Sequence, residues 1–205
     1  MRGLEQIPWL YDGLMALSEK TGFRRWRERL LARITTQDGP VLEVGCGTGR
    51  NLPHYPTPVV GLDPCLASLL AARRRAPGTP LVVASAEALP FRPTTFPTVV
   101  SSLVFCSVPD PSRGLAEVDR VLTPEGRLHM LEHVRHRRPA MARFQDWIQP
   151  AWTRVTGGCH PNRDTETTVE RSGFTILEDR RARGTLRLFT ASRRSREVAS
   201  SNADG

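Results

Sequence analysis

The run Val41-Leu42-Glu43-Val44-Gly45-Cys46-Gly47-Thr48-Gly49 constrains this chain more than any other segment. A short strand-like stretch ends in three glycines at alternate positions. The backbone must turn sharply there and come close to something, which residues lacking a Cβ permit. Thr48 is suited to cap a following helix, whose free N–H groups favour an anion or carboxylate. Further on, the apolar run Val59-Val60-Gly61-Leu62 ends at Asp63. An acid at the tip of a second strand is where an adenosine ribose is gripped through its hydroxyls. Loop, spacing and acid in strand–helix–strand order point to a nucleoside-cofactor site, against the blander reading of a tight βα turn in some other α/β protein.

The glycine spacing also sorts the cofactor classes. Dinucleotide sites use G-x-G-x-x-G, with the pyrophosphate on the helix N-terminus. Here the pattern is G-x-G-x-G after Glu43, and no Gly-Lys-Ser/Thr phosphate loop occurs.

At 205 residues the chain suits one domain with a sizeable core. No apolar run reaches transmembrane length and no signal-peptide pattern opens it, so no integral membrane segment is expected. Cys46, Cys65, Cys106 and Cys159 lie far apart without CxxC spacing. They read as reduced cytoplasmic thiols, with no disulfide frame and no metal site. The net charge of +8 is carried by scattered arginines, and aromatics are only 6% of the chain. That distribution reads as a solvated surface. Nucleic acid is not an expected partner, and weak attraction to anionic surfaces is the most the charge supports.

Tyr11 to Lys20 and Arg24 to Thr36 read as amphipathic helices, with Trp26, Leu30, Leu31 and Ile34 at helical spacing in the second. Leu66 to Arg75 and Asp110 to Leu122 read as helices, and Leu81 to Ala84, Thr98 to Phe105 and Arg127 to Val134 as strands. This alternation predicts a parallel, doubly wound sheet. Met141 to Val155 reads as a long helix stopped by Gly157-Gly158, and Thr165 to Ser172 as another. Phe174 to Glu178 and Thr185 to Ala191 read as a hairpin. The polar, small-residue composition after Ser192 predicts disorder.

With the motifs placed, residues 8–191 resemble class I S-adenosylmethionine (AdoMet) methyltransferases of the type 11 branch. The marks are VLEVGCGTGRN at 41–51, GLDP at 61–64, AEALPF at 86–91, VDRVLTPEG at 118–126 and LEHV at 131–134. A finer likeness, carried by Leu103 to Val108, Glu132-His133-Val134, and Gly158-Cys159-His160 with Arg163, is to the group containing alkyl-thiol methyltransferases. Those relatives carry a hydrophobic N-terminal anchor that is not found here.

The resemblance implies an α/β, Rossmann-like, seven-stranded sheet of order 3-2-1-4-5-7-6, strand 7 antiparallel. It implies an N-terminal helical lid at 1–37 and an AdoMet-binding core at 38–192. An acceptor-lid insertion would span about 138–164, ahead of the disordered tail at 193–205. Gly45, Gly47 and Gly49 would line the methionine portion, with Glu43 and Cys46 in the same loop. Asp63 would take the ribose hydroxyls with Pro64 behind it, Ala86 and Glu87 would flank the adenine, and Leu103 would lie under the sulfonium. Ser85 stands where many relatives have Asp. Phe96-Pro97-Thr98 and Glu125 also depart from the family pattern, and proline is tolerable at a strand's first residue.

Methyl transfer is an in-line displacement from a good leaving group, so the protein's work is positioning and water exclusion. A base is needed only if the acceptor holds a proton, and a thiol needs little help. Glu132, His133 and His160 are the candidates, with His133 and His160 taken as the catalytic pair. Each also has a plain structural reading, as a cap or a turn. Cys106 reads as core. Trp147 and Trp152 read as an acceptor lid or as cover for the sheet. The Asn-Pro-Pro-Tyr signature of amino methylation is absent after strand 4, which favours an apolar pocket floor. The expected function is methylation of a small, fairly apolar acceptor, a thiol first and a quinol or phenol second. The alternative is a non-catalytic AdoMet-binding regulatory or scaffold module. Oligomeric state has no signature.

Overall fold

The computed structural model describes residues 7–18, 22–181 and 184–194. Two earlier expectations, the tail from Ser195 and the Tyr11 side chain as a cofactor or substrate contact from the N-terminal helix, lie outside what is described. Two helices, α1 (Pro8–Ser18) and α2 (Arg24–Leu31), precede the sheet. The strands are β1 (Val41–Val44), β2 (Val59–Asp63), β3 (Leu81–Val83), β4 (Phe96–Ser102), β5 (Leu122–His133), β6 (Phe174–Arg181) and β7 (Leu186–Arg193). Between them run α3 (Leu66–Arg75), α4 (Pro111–Val121), α5 (Pro139–Thr156) and α6 (Thr165–Arg171). The sheet order is β3-β2-β1-β4-β5-β7-β6, with β7 antiparallel to both neighbours, as the resemblance implied.

All four residues of β1 are buried, because helices cover both faces of the sheet. Successive side chains point to opposite faces. Leu42 and Val44 therefore join Leu115, Val118 and Val121 of α4 and Val169 of α6 in one core. Val41 faces the other way, into a second core with Leu30 of α2 and with Leu69 and Ala72 of α3. Among the described residues, no helix is long and apolar enough to cross a membrane.

Several boundaries differ from the sequence reading, β5 beginning five residues early at Leu122 among them, and four have a plain local reason. Strand β4 ends at Ser102, not Phe105, because Leu103 takes a left-handed φ of 59° and the chain then turns. It begins at Phe96, and a register shift between Phe96 and Thr98 lets Pro97 sit in the strand without a ladder donor. Helix α2 stops at Leu31. Its expected continuation becomes turns, with Arg33 N–H bonded to Leu30 C=O and Ile34 N–H to Leu31 C=O. The expected tail starts too early, since β7 runs through Arg193, whose Nε donates to Asp119 Oδ1 at 2.8 Å.

Candidate active site

A cleft of about 390 Å³, open to solvent, lies at the carboxyl ends of β1 and β4. It is lined by Met15, Arg27, Glu43, Gly45, Cys46 and Gly47, and further by Thr48, Arg50, Asn51, Ser102 and Leu103. This is where open α/β sheets place ligands. The three loop glycines all have positive φ but do different work. A Cβ on Gly45 would lie 2.4 Å from Val104 Cγ2, and one on Gly49 would lie 2.8 Å from Ala72 Cβ. Those two glycines are demanded by the protein's own packing. A Cβ on Gly47 would meet nothing within 4 Å, so the free space at Gly47 is the part of the loop left open for a ligand. Sequence reasoning had assigned all three glycines to the ligand.

Glu43 is 2% exposed, at the end of β1. Its Oε1 accepts a 2.6 Å hydrogen bond from Asn51 Nδ2, while Glu43 Oε2 and Asn51 Oδ1 are buried without a hydrogen-bond partner. Burial pushes the Glu43 carboxyl up to about 7, against the Asn51 bond. Cys46 is buried beside it, and burial holds its thiol far above the usual range, so it stays neutral.

Asp63 ends β2. Its Oδ2 accepts from Gly47 N–H at 2.9 Å and its Oδ1 from Cys65 N–H at 2.8 Å, so the acid is braced against the glycine loop. Burial raises its pKa despite those two bonds. Each oxygen keeps a second lone pair for a hydroxyl. Pro64 is exposed. Ala86 is buried, and Glu87 is tied up by Ser85 Oγ at 3.0 Å and by Asp110 N–H at 2.7 Å. Pro64, Ala86, Glu87, Asp63 and Gly49 stand outside the ring of residues that lines the cleft.

Helix α1 contributes a residue that sequence reasoning missed. Asp12 of α1 accepts from Thr48 Oγ1 at 2.7 Å, Arg50 Nη1 at 3.2 Å and Arg75 Nη2 at 2.8 Å. Burial opposes its ionisation, but the bonds from Arg75 and Thr48 outweigh that and hold the carboxyl below its ordinary range. No periodicity marks a lone acid on a short helix as a clamp.

Beyond Leu103 a second constellation forms at the same sheet edge. Glu132 is completely buried. Its Oε1 accepts from Ser101 Oγ at 2.9 Å and from the N–H groups of Val104 and Phe105, both at 3.1 Å. It fixes the turn after β4, and that corrects its reading as a candidate base. His133, the last residue of β5, is half-buried. It meets Cys106 and Cys159, and the ligand-type atoms of the three residues all lie within 4.8 Å of one another. Cys106 and Cys159 are 2% and 3% exposed. A hydrogen bond from the Cys106 thiol, with help from His133 and Trp152, holds Cys159 down at about 4 against the cost of burial. The same bond and burial push Cys106 up, so one proton is shared between them. Sequence spacing gave no sign that these cysteines meet.

His160 belongs to the corner's scaffold. Its N–H donates to Cys106 C=O at 2.8 Å. Thr153 Oγ1 donates to Cys159 C=O at 2.8 Å, so it must accept the 2.9 Å bond from Gln149 Nε2. The other Gln149 N–H then goes to His160 Nδ1 at 3.0 Å. With Nδ1 accepting, a neutral His160 carries its proton on Nε2 and can only donate there. Burial and the Arg163 charge keep the ring neutral by lowering its pKa. Arg163 Nη1 donates to Phe105 C=O at 2.5 Å and to Val108 C=O at 2.7 Å, fastening this corner to the β4 turn. Trp147 is 78% exposed and Trp152 44%, so neither covers the sheet.

A seven-stranded sheet in this order, with a glycine-loop cleft at its central carboxyl edge, is the architecture of class I AdoMet methyltransferases. A family model described as a methyltransferase domain matches residues 42–130. Thiol S-methyltransferase TMT1B of Rattus norvegicus is 33% identical over 187 residues, 84% of this chain and 76% of the relative. Thiol S-methyltransferase TMT1A of Homo sapiens is 35% identical over 148 residues, 67% of this chain and 61% of the relative. Among solved structures, a putative methyltransferase from Bacillus halodurans superposes with a TM-score of 0.65 at 22% identity, over 75% of this chain and 71% of that one. The chain belongs to the class I AdoMet-dependent methyltransferases, type 11 branch, and is an enzyme of that family. Its cleft fits the cofactor: the space at Gly47 is open, and the buried carboxyl of Glu43 lines the same cleft.

Proposed function

We propose that this chain methylates the sulfur of a small, fairly apolar thiol. The observation that carries the reading is the corner formed by Cys106, His133 and Cys159, three residues beyond the Leu103 that lines the cofactor cleft. It brings together an imidazole and two soft sulfur atoms. The names of the relatives support the same acceptor atom.

AdoMet, when bound, supplies the methyl group on a sulfonium. Gly45, Gly47 and Leu103 would line its methionine end, with Cys46 and Gly49 shaping the loop. Glu43 would face its positive charge, Asp63 and Pro64 its ribose, and Ala86 and Glu87 its adenine. The acceptor's proton must leave, its sulfur takes the methyl carbon, and the broken S–C bond leaves its electron pair on the sulfur of S-adenosylhomocysteine. His133 is the residue placed to help that proton away, since His160 has no free acceptor nitrogen.

The test is turnover of AdoMet with panels of alkyl and aryl thiols, quinols, phenols and amines, read by mass spectrometry. Methylation confined to thiols supports the reading. Methylation of quinols or phenols in preference to thiols overturns it, and binding of AdoMet without turnover on any panel returns the chain to a regulatory or scaffold role.

A further inference from the structure

We infer that Cys106, His133 and Cys159 hold a divalent zinc ion whose fourth position takes the acceptor's sulfur. The inference rests on the thiol reading above and says how that thiol is ionised.

Three observations carry it. The first is the donor set. Two sulfurs and one imidazole nitrogen lie within 4.8 Å of one another, and tetrahedral zinc with bonds of about 2.0–2.3 Å brings its ligands only slightly closer. Three protein ligands with a fourth position open is the arrangement of catalytic zinc, whereas structural zinc closes all four.

The second is that the ligands are held in place from outside the cluster. Cys159 N–H donates to Thr156 Oγ1 at 3.2 Å, and its C=O accepts from Thr153. Cys106 C=O accepts from His160 N–H. Val134 N–H donates to Thr185 C=O at 2.7 Å, fixing the chain beside His133. Gly158 has a φ of 153°, and a Cβ there would sit 3.4 Å from Ser107 C=O, so the α5 exit lies beside the Cys106 turn. Ligands fixed in this way need little reorganisation to take up a metal.

The third is charge. Both sulfurs are at least 97% buried, where two thiolates without a counter-ion are costly. One divalent cation neutralises both. His133, half-buried, is the least buried of the three.

Zinc would then replace a base. A thiol that coordinates zinc loses its proton to water and stays as a bound thiolate. Its sulfur keeps a lone pair for the methyl carbon, so no oxidant, reductant or further proton acceptor is needed. His133 would bind metal and not shuttle protons.

The test uses the full chain, stripped with a chelator and kept reduced with a phosphine. Cobalt(II) should bind one per chain and give sulfur-to-cobalt charge-transfer bands together with the visible bands of a tetrahedral ion. Cys106→Ser and Cys159→Ser should each lose the charge-transfer intensity, and His133→Gln should weaken binding at least tenfold. Ethanethiol should alter the visible bands of the wild type. Because a cysteine variant can fail to fold, bound zinc in the wild type should also protect two cysteines, Cys106 and Cys159, from alkylation mapped by mass spectrometry. Absence of the charge-transfer bands, bands that survive in the double cysteine variant, or alkylation unchanged by zinc would overturn the site. Undiminished thiol methylation by the chelated enzyme would overturn the metal's role and leave the thiol reading standing. A bound metal with no thiol methylated would leave the metal site standing and overturn both the thiol reading and the metal's role in it.

Discussion

The hydroxyl of Thr48 donates a 2.7 Å hydrogen bond to the carboxylate of Asp12, and through it α1 is fastened to the glycine loop. The same carboxylate collects Arg50 and Arg75. Asp12→Ala should therefore loosen the lid over the cleft more than it harms the fold. Partly exposed ion pairs contribute about 1 kcal/mol, so AdoMet affinity should fall roughly fivefold. Since the folded carboxyl titrates below its ordinary range, its contribution is present at neutral pH and fades as pH falls through that range. Calorimetry at pH 7 checks the first point; an unchanged affinity would mean that α1 does not guard the cleft.

Gly45 and Gly47 should fail differently when given a side chain. Gly45→Ala drives a Cβ into Val104, so its melting temperature should drop by several degrees. Gly47→Ala meets no protein atom and bears only the left-handed backbone, a cost of about 1–2 kcal/mol. It should stay folded and lose AdoMet binding by roughly a hundredfold. Thermal melts paired with ligand titrations separate the two, and a Gly47→Ala protein that binds normally would show that the ligand does not approach this loop.

Glu43 gives stability a pH dependence of unusual sign for an acid. Its folded pKa of about 7 lies above its ordinary value of 4.5, so between these the folded chain holds a proton that the unfolded chain releases. Stability from this residue is full below 4.5 and is lost as pH rises through 7, by on the order of 3 kcal/mol. Glu43→Gln should flatten that slope in denaturant titrations across pH 4.5–7. A cationic ligand favours the carboxylate, so AdoMet binding at pH 6 should release a proton from the wild type and none from the variant. Calorimetry in buffers of different ionisation enthalpy reads this directly.

His160→Ala should lower turnover at least tenfold while AdoMet affinity stays within twofold, because the ring anchors Gln149 of α5 at this corner, while the backbone bond from residue 160 to Cys106 survives the change. Raising the pH should not restore the rate. Rescue at high pH would show that the ring acts as a base, against its Nε2–H tautomer.

The glycine loop, Asp63 and the alternation of elements made the sheet and its cofactor edge readable from the chain. Each depends on residues close together in sequence, where spacing carries geometry. Asp12 and Arg75 did not stand out, and Thr48, expected to cap a helix, instead gives its hydroxyl to Asp12, because their meeting depends on how α1 and α3 converge. Cys106, His133 and Cys159 come from the β4 turn, the end of β5 and the exit of α5, and only the folded sheet brings them together. Gly45 and Gly49 looked identical to Gly47, since the packing that separates them comes from Val104 and Ala72.

The placement of β7 between β5 and β6 has a consequence for synthesis. Residues 41–103, with the whole glycine loop, leave the ribosome while the outer edge of β5 still has no strand beside it. That edge, from Arg127 to His133, closes only when Leu186–Arg193 arrives to pair with it. A nascent chain can thus complete its cofactor loop while it still carries an unpaired β edge that includes Leu128, Met130 and Leu131. Stalling or truncation before Leu186 would expose that edge and favour aggregation, even though every cofactor residue had already been made.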